Sequence, residues 1–327
     1  MTKIQNIGVL TSGGDSPGMN AAIRAVVRGS LYYKLKVTGV LRGYDGLINA
    51  DFIPMDGKSV ANIIQRGGTI LKTARCDEFK TPEGRAKAHQ NLLDSGIDAL
   101  VVIGGDGTFT GADIFSREYD FPIIGLPGTI DNDLEGTDLT IGYDTAINTV
   151  VSAVDKIRDT AESHDRLFIV EVMGRDSGLI ALRSGIGVGA EAILIPEAKM
   201  TTEDLIERVE HGRKDKASKI IVVAEGDEAG GAYNVGEVLK EKFPHHDIRV
   251  SVLGHIQRGG RPSCADRVLA SRLGVAAVEG LLEGKSKVMI GQVNKEIVFT
   301  PFSKAIKHID ATQVTPAWLK LAEILSL

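Results

Sequence analysis

Short apolar runs recur along the chain, and several end in glycine or charged residues. Ile7-Gly8-Val9-Leu10 leads into Thr11-Ser12-Gly13-Gly14-Asp15, and residues 99–103 lead into Gly104-Gly105-Asp106-Gly107-Thr108. Residues 123–126 lead into Pro127-Gly128-Thr129-Ile130-Asp131-Asn132-Asp133. Further on, residues 167–172 precede Met173-Gly174-Arg175, residues 192–195 precede Pro196-Glu197, and residues 220–224 precede Glu225-Gly226. Apolar runs of this length, without polar alternation, suit strands buried on both faces of a parallel sheet. Helical spacing marks residues 19–30, 86–95, 145–162 and 202–212 between them. This alternation predicts an α/β protein of two doubly wound, mostly parallel α/β/α domains. In such folds ligands bind beyond the C-terminal ends of the strands, where each of these clusters falls.

No low-complexity linker divides the chain, and the candidate crossover segments are 137–141 and 254–262, so the two domains are expected to share interwoven chain. The length of 327 residues suits two domains. With 43% hydrophobic and 25% charged residues, the balance is that of a soluble globular protein. A net charge of −5 gives no overall attraction to nucleic acid or an anionic membrane, so an anionic substrate needs a local basic pocket. Cys76 and Cys264, the only cysteines, are too far apart in sequence for a CxxC site and fit a reducing compartment. The first residues lack the apolar core of a signal peptide, and no apolar run reaches membrane-spanning length. A cytoplasmic protein is expected.

The glycine clusters carry the candidate chemistry. In Gly104-Gly105-Asp106-Gly107-Thr108, glycines let backbone N–H groups approach a phosphate, and a following helix start favours negative charge. Asp106 there suits Mg²⁺, which takes one or two carboxylates plus phosphate oxygens; a tight turn whose Asp caps a helix is the plainer reading. Gly13-Gly14-Asp15-Ser16-Pro17-Gly18 is a second cradle or an ordinary βα turn. Asp131 and Asp133, two residues apart at a strand end, suit a base beside a sugar hydroxyl and a metal-associated acid, or a solvated Asp/Asn turn. Arg75, Arg158, Arg166, Arg175, Arg249, Arg258 and His255 stand near strand ends or in glycine-containing loops. The arginine fork suits phosphate oxygens, although a surface ion pair explains most single arginines. His255 and Arg258 differ, being spaced i and i+3 and framed by Gly254, Gly259 and Gly260. Glu225 reads equally as a sugar-hydroxyl acceptor or a helix cap. No GxxxxGK[ST] P-loop is present, and no GxGxxG follows a strand, which disfavours P-loop and dinucleotide-binding readings.

These clusters occur in order with Asp266-Arg267-Val268-Leu269-Ala270-Ser271-Arg272. Together they resemble the bacterial ATP-dependent 6-phosphofructokinases from residue 4 to about residue 300. The resemblance implies phosphorylation of the 1-hydroxyl of fructose 6-phosphate, the committed step of glycolysis, by a homotetramer. It implies an ATP-binding domain of residues 1–141 plus 256–306, and a fructose 6-phosphate domain of 142–255 plus 307–327. Gly14, Arg75, Cys76 and the Gly104, Asp106, Gly107, Thr108 turn would bind MgATP, with Asp106 on the metal. Asp131 would be the base, with Arg75, Thr129, Asp133 and Arg175 beside the reaction. Thr129, Met173, Gly174, Arg175, Glu225, His255 and Arg258 would hold the sugar phosphate. Arg166 and Arg249 would reach its 6-phosphate from a neighbouring subunit.

Pyrophosphate-using relatives carry Asp and Lys where this chain has Gly107 and Gly128, so both glycines are expected to leave room for the nucleotide α-phosphate. An effector site for ADP or phosphoenolpyruvate would use Arg24, Arg28, Arg158, Gly189, Glu191, Lys214 and Lys216. A further effector arginine of some members aligns with Gly57, and Asp215 sits between the two lysines, so an altered allosteric response is expected. A lipid or NAD kinase leaves the Arg/His set and Asp131/Asp133 unexplained. A non-catalytic sugar-phosphate sensor needs neither metal acid nor base, and a kinase of a related sugar phosphate differs only in the acceptor.

Overall fold

The computed structural model describes residues 4–163, 166–211, 219–306 and 314–325. In chain order β1 is Asn6–Thr11, α1 Met19–Tyr32, β2 Lys36–Val40, α2 Tyr44–Asn49, β3 Phe52–Met55 and α3 Pro82–Asp94. There follow β4 Ala99–Gly104, α4 Asp106–Tyr119, β5 Ile123–Thr129, β6 Ile141–Gly142, α5 Tyr143–Glu162, β7 Leu167–Val172 and α6 Leu179–Val188. Then come β8 Ala192–Leu194, α7 Thr202–His211, β9 Lys219–Ala224, α8 Gly231–Lys242, β10 Ile248–Val252 and α9 Cys264–Leu282. The chain ends with β11 Val288–Val293, β12 Glu296–Pro301, α10 Phe302–Ala305 and α11 Pro316–Leu325.

The chain divides into two compact units, one of Met1–Ile130, Leu134–Thr145 and Arg258–His308, the other of Asp131–Asp133, Ala146–Gln257 and Ile309–Leu327. The chain passes into the second unit for Asp131–Asp133, again after Thr145, and returns at Arg258. Hydrogen bonds within the first unit keep the residues up to Thr145 in it. Gly142 N and Thr145 N each donate to the buried Asp266 carboxylate at 2.8 Å, and the Thr145 hydroxyl also donates to it. The first turn of α5 is thereby tied to the start of α9. Burial pushes the Asp266 carboxyl up, against these hydrogen bonds, which favour its charged form.

In the first unit the sheet order is β12-β11-β5-β4-β1-β2-β3, with β6 also paired to β5. The neighbours are parallel except β2–β3 and β11–β12. Successive side chains of the central strands alternate between two cores. Ile7, Val9, Ala99, Val101 and Ile103 face one with α1 and α9, while Leu10, Leu100 and Val102 face the other with α3 and α4. Helix α9 packs closely on α1: a Cβ at Gly274 would stand 2.6 Å from that of Ala25. In the second unit β10-β7-β9-β8 are all parallel. One face of that sheet packs Leu167, Ile169, Ile221 and Val223 against Leu205, Val209, Val235 and Leu239 of α7 and α8. Each sheet thus presents parallel strand ends to the loops that carry the glycine clusters.

Candidate active site

In the first unit, adjacent β5, β4 and β1 bring three of the clusters side by side. Ser12 N donates to Ile103 O at 3.0 Å as β1 leaves the sheet. Gly13 takes φ +81, and Thr73 Oγ1 donates to its carbonyl at 2.7 Å, fastening the segment that carries Arg75 and Cys76. After β4, Gly105 is the N-cap of α4 and Asp106 is in its first turn. The backbones crowd here: a Cβ at Gly104 would lie 2.3 Å from Thr108 Oγ1 and 2.5 Å from Ser12 O. A Cβ at Gly13 would lie 3.4 Å from the same hydroxyl, and one at Gly105 3.4 Å from Thr129 Cβ. Tyr44, stacked on Phe79, donates its hydroxyl to Thr108 O at 2.5 Å and so holds the turn from behind.

Thr108 Oγ1 is buried and makes no hydrogen bond among the described residues. A buried polar atom left this way invites a polar ligand. With the glycine amides and the half-buried Asp106 carboxylate, it fits a Mg²⁺–phosphate group better than a plain capped turn. No cluster of three or more His, Cys, Asp or Glu forms a metal cage among the described residues. Magnesium held by one carboxylate and phosphate oxygens needs none. Arg75 is exposed, and burial raises the half-buried Cys76 thiol.

Gly107 and Gly128 differ. Nothing lies within 4 Å of a Cβ added at Gly107, whereas one at Gly128 would meet Ile103 Cγ2 at 2.9 Å and Met19 Cε at 3.2 Å. Only Gly107 leaves the open space expected of both; Gly128 is small because β5 runs close to packed side chains of β4 and α1.

The second unit holds Asp131–Asp133, the end of the cluster after β5, together with the loop after β7. Asp131 is 3% exposed and stands 3.7 Å from Arg175 Nε. Asn132, beside it, takes φ +52. After β7 the chain turns sharply, with Gly174 at φ +145 and Arg175 at φ +54. Glu225 Oε1 accepts from Gly174 N at 3.2 Å and Arg175 N at 2.8 Å. A Cβ at Gly226 would lie 2.0 Å from Arg175 O, so this close approach requires glycine. Of the two readings of Glu225, the helix cap is replaced by a loop clamp; Oε2 forms no hydrogen bond among the described residues. His255 is exposed on the 3-10 turn Gly254–Arg258. Arg258 belongs to the first unit, where its Nη1 donates to Asp15 O at 3.3 Å and would lie 2.5 Å from a Cβ at Gly14.

Arg166 and Arg249 are not brought to the Met173–Arg175 loop. Arg166 Nε donates to Asp247 Oδ2 at 2.5 Å, and Arg249 Nε lies 2.8 Å from Asp247 Oδ1. This trio sits at the start of β7, whereas Met173 follows its end. Arg166, then Arg249, holds the Asp247 carboxyl below the usual carboxylate range.

The effector set is divided. Arg24 and Arg28 lie one turn apart on α1; burial, then the charge of Arg28, lowers the Arg24 pKa. In the second unit Arg158 Nη2 donates to Val188 O at 2.5 Å, beside Gly189 (φ +62), and Glu191 accepts from Ile220 N at 2.5 Å. Lys214 and Lys216 lie outside the described residues, and Gly57 is in an exposed turn.

The family model Phosphofructokinase matches residues 6–281. "ATP-dependent 6-phosphofructokinase 2" of Bacteroides thetaiotaomicron is 58% identical over 309 residues, covering 94% of this chain and 95% of the relative. "ATP-dependent 6-phosphofructokinase 1" of Thermus thermophilus is 52% identical over 325 residues, 99% of this chain and 100% of the relative. Among solved structures, phosphofructokinase from Saccharomyces cerevisiae superposes with a TM-score of 0.88 at 40% identity, over 92% of this chain and 45% of that longer one. The pyrophosphate-dependent phosphofructokinase from Marinobacter aquaeolei shares the fold, with a TM-score of 0.85 at 22% identity over 98% of this chain and 91% of that one. The match over most of its length, together with relatives above half identity, places this chain in the phosphofructokinase family.

Proposed function

We propose that this protein transfers the γ-phosphate of ATP to the 1-hydroxyl of fructose 6-phosphate, giving fructose 1,6-bisphosphate and ADP. The observation that carries the reading is the buried Asp131 carboxylate 3.7 Å from Arg175, on a loop clamped by Glu225. Asp131 accepts the proton of the 1-hydroxyl as that oxygen attacks the γ-phosphorus. The bond from phosphorus to the β–γ bridging oxygen breaks, and ADP leaves. Phosphoryl transfer asks for alignment and charge neutralisation more than covalent help. Arg175 offers a guanidinium beside the transferred group, and the glycine amides after β1 and β4 offer donors to the ATP phosphates. Magnesium, held by Asp106, would neutralise charge on those phosphates.

Met173, Gly174, Arg175, His255 and Glu225 Oε2 hold the sugar phosphate in this reading, and by family likeness Thr129, Asp133 and Arg258 are further candidates for it. Arg166 and Arg249 complete the site from another subunit. The six residues of β7, at about 3.3 Å each, put roughly 20 Å between the Arg166 end and the Met173 end of one chain. Both groups serve one sugar phosphate only if two chains contribute, which supports an oligomer, a tetramer by family likeness. No helix among the described residues is long and apolar enough to cross a membrane, which is compatible with the cytoplasmic setting we propose.

Product formation with fructose 6-phosphate against tagatose 6-phosphate tests the acceptor: a strong preference for fructose 6-phosphate is expected, and the reverse preference would overturn it. By family likeness we further propose an effector site between subunits, to which Arg24 and Arg28 contribute from one chain and Arg158, Gly189 and Glu191 from another, with a weakened response to phosphoenolpyruvate and ADP. Strongly sigmoidal inhibition by phosphoenolpyruvate, relieved by ADP, would contradict that.

A further inference from the structure

We infer that Gln257 is a positioning residue for the sugar-phosphate side of the reaction, its amide joining the loop after β7 to the turn after β10. The inference rests on the proposed function, in which Met173–Arg175 and His255 hold the substrate. Gln257 is fully buried. Its Oε1 accepts from Met173 N at 3.2 Å, and its Nε2 donates to Gly254 O at 3.1 Å.

Strands β7 and β10 are paired up to Glu171 and Val252, and Leu253 N gives a last backbone bond to Glu171 O at 3.1 Å. Beyond that point the two chains diverge, one into Met173-Gly174-Arg175 and the other into the Gly254–Arg258 turn. An amide is the side chain that serves here, because it accepts from one chain with its oxygen and donates to the other with its nitrogen. A carboxylate has no donor for the Gly254 carbonyl, and an aliphatic residue bonds neither chain. The loop after β7 is then held at consecutive amides, Met173 by Gln257 and Gly174 and Arg175 by Glu225. Glu225 is exposed and has an oxygen left for a sugar hydroxyl. Gln257 is wholly enclosed, so it acts only through the residues it holds.

The test compares Gln257→Leu and Gln257→Glu with the unaltered enzyme, measuring KM for fructose 6-phosphate, KM for ATP, kcat and Tm. Loops displaced by about an ångström lose productive contacts steeply. Gln257→Leu is expected to raise KM for fructose 6-phosphate about tenfold or more, with KM for ATP within about twofold and kcat within about threefold. Gln257→Glu keeps the acceptor for Met173 N, so a smaller rise in the same constant is expected. A purely structural role would lower Tm and leave both KM values unchanged, and that result overturns the inference. So does an equal rise in both KM values. If the leucine variant does not fold, the glutamate variant decides on the same criteria. An unaltered enzyme that fails to phosphorylate fructose 6-phosphate refutes the proposed function itself, a result distinct from an active enzyme with unresponsive Gln257 variants.

Discussion

Asp131→Asn keeps the size and shape of the side chain and removes its basicity. Loss of a general base costs about 10²–10⁴ in rate, so kcat is expected to fall by that factor with a modest change in KM. Steady-state kinetics of the folded variant checks this, and near-normal kcat would remove Asp131 from the chemistry. At this scale the sequence was informative about residue type and less so about partnership. Asp131, Arg175 and Glu225 stand out by their places at strand ends. That Glu225 clamps two loop amides, or that Arg258 lies on the Gly14–Asp15 turn, depends on contacts between residues far apart in the chain. Gln257 and Asp247 are inconspicuous in the sequence for a related reason. A buried amide and an acid beside two arginines become meaningful only when the strands bring their partners to them. His-Ile-Gln-Arg did hold a signal, a third polar side chain between two chosen ones.

Gly104 closes β4 where an added methyl would meet Thr108 Oγ1 at 2.3 Å and the Ser12 carbonyl at 2.5 Å. The second neighbour is backbone and cannot swing aside, so Gly104→Ala is expected to destabilise the fold by about 1–3 kcal/mol, as overpacking does. Denaturant unfolding measures this; an unchanged midpoint would mean that the turn is looser than its geometry. Central strands β1, β4, β5, β7 and β9 were legible because burial on both faces makes them continuously apolar. Edge and antiparallel strands were not: β2, β3, β11 and β12 mix polar positions with apolar ones and include Pro54 and Gly291. Helix α9 is also hard to see in the sequence, since contacts with α1, β5 and β11 distribute its apolar residues around the axis and blur a single stripe. Gly128 misled for a physical reason. Its lack of a side chain relates to packing against Ile103 and Met19, which a one-dimensional reading does not distinguish from space for a ligand.

In the whole molecule, the passage between units after Thr145 follows from Asp266 and its donors Gly142 and Thr145, a contact between residues far apart in the chain that the sequence does not display. The opposed placement of Arg249 and Arg175 along one small sheet leads to a complementation experiment. Asp131→Asn and Arg249→Ala subunits, each nearly inactive alone, should form mixed oligomers in which some sites contain both native residues, and activity should return in proportion to those sites. Mixtures no more active than their parents would place Arg249 outside the shared site. One coupled assay tests acceptor and donor together: formation of fructose 1,6-bisphosphate from fructose 6-phosphate with ATP or with pyrophosphate. Turnover with ATP and Mg²⁺ and none with pyrophosphate is expected. Turnover with pyrophosphate and none with ATP would contradict the proposed function.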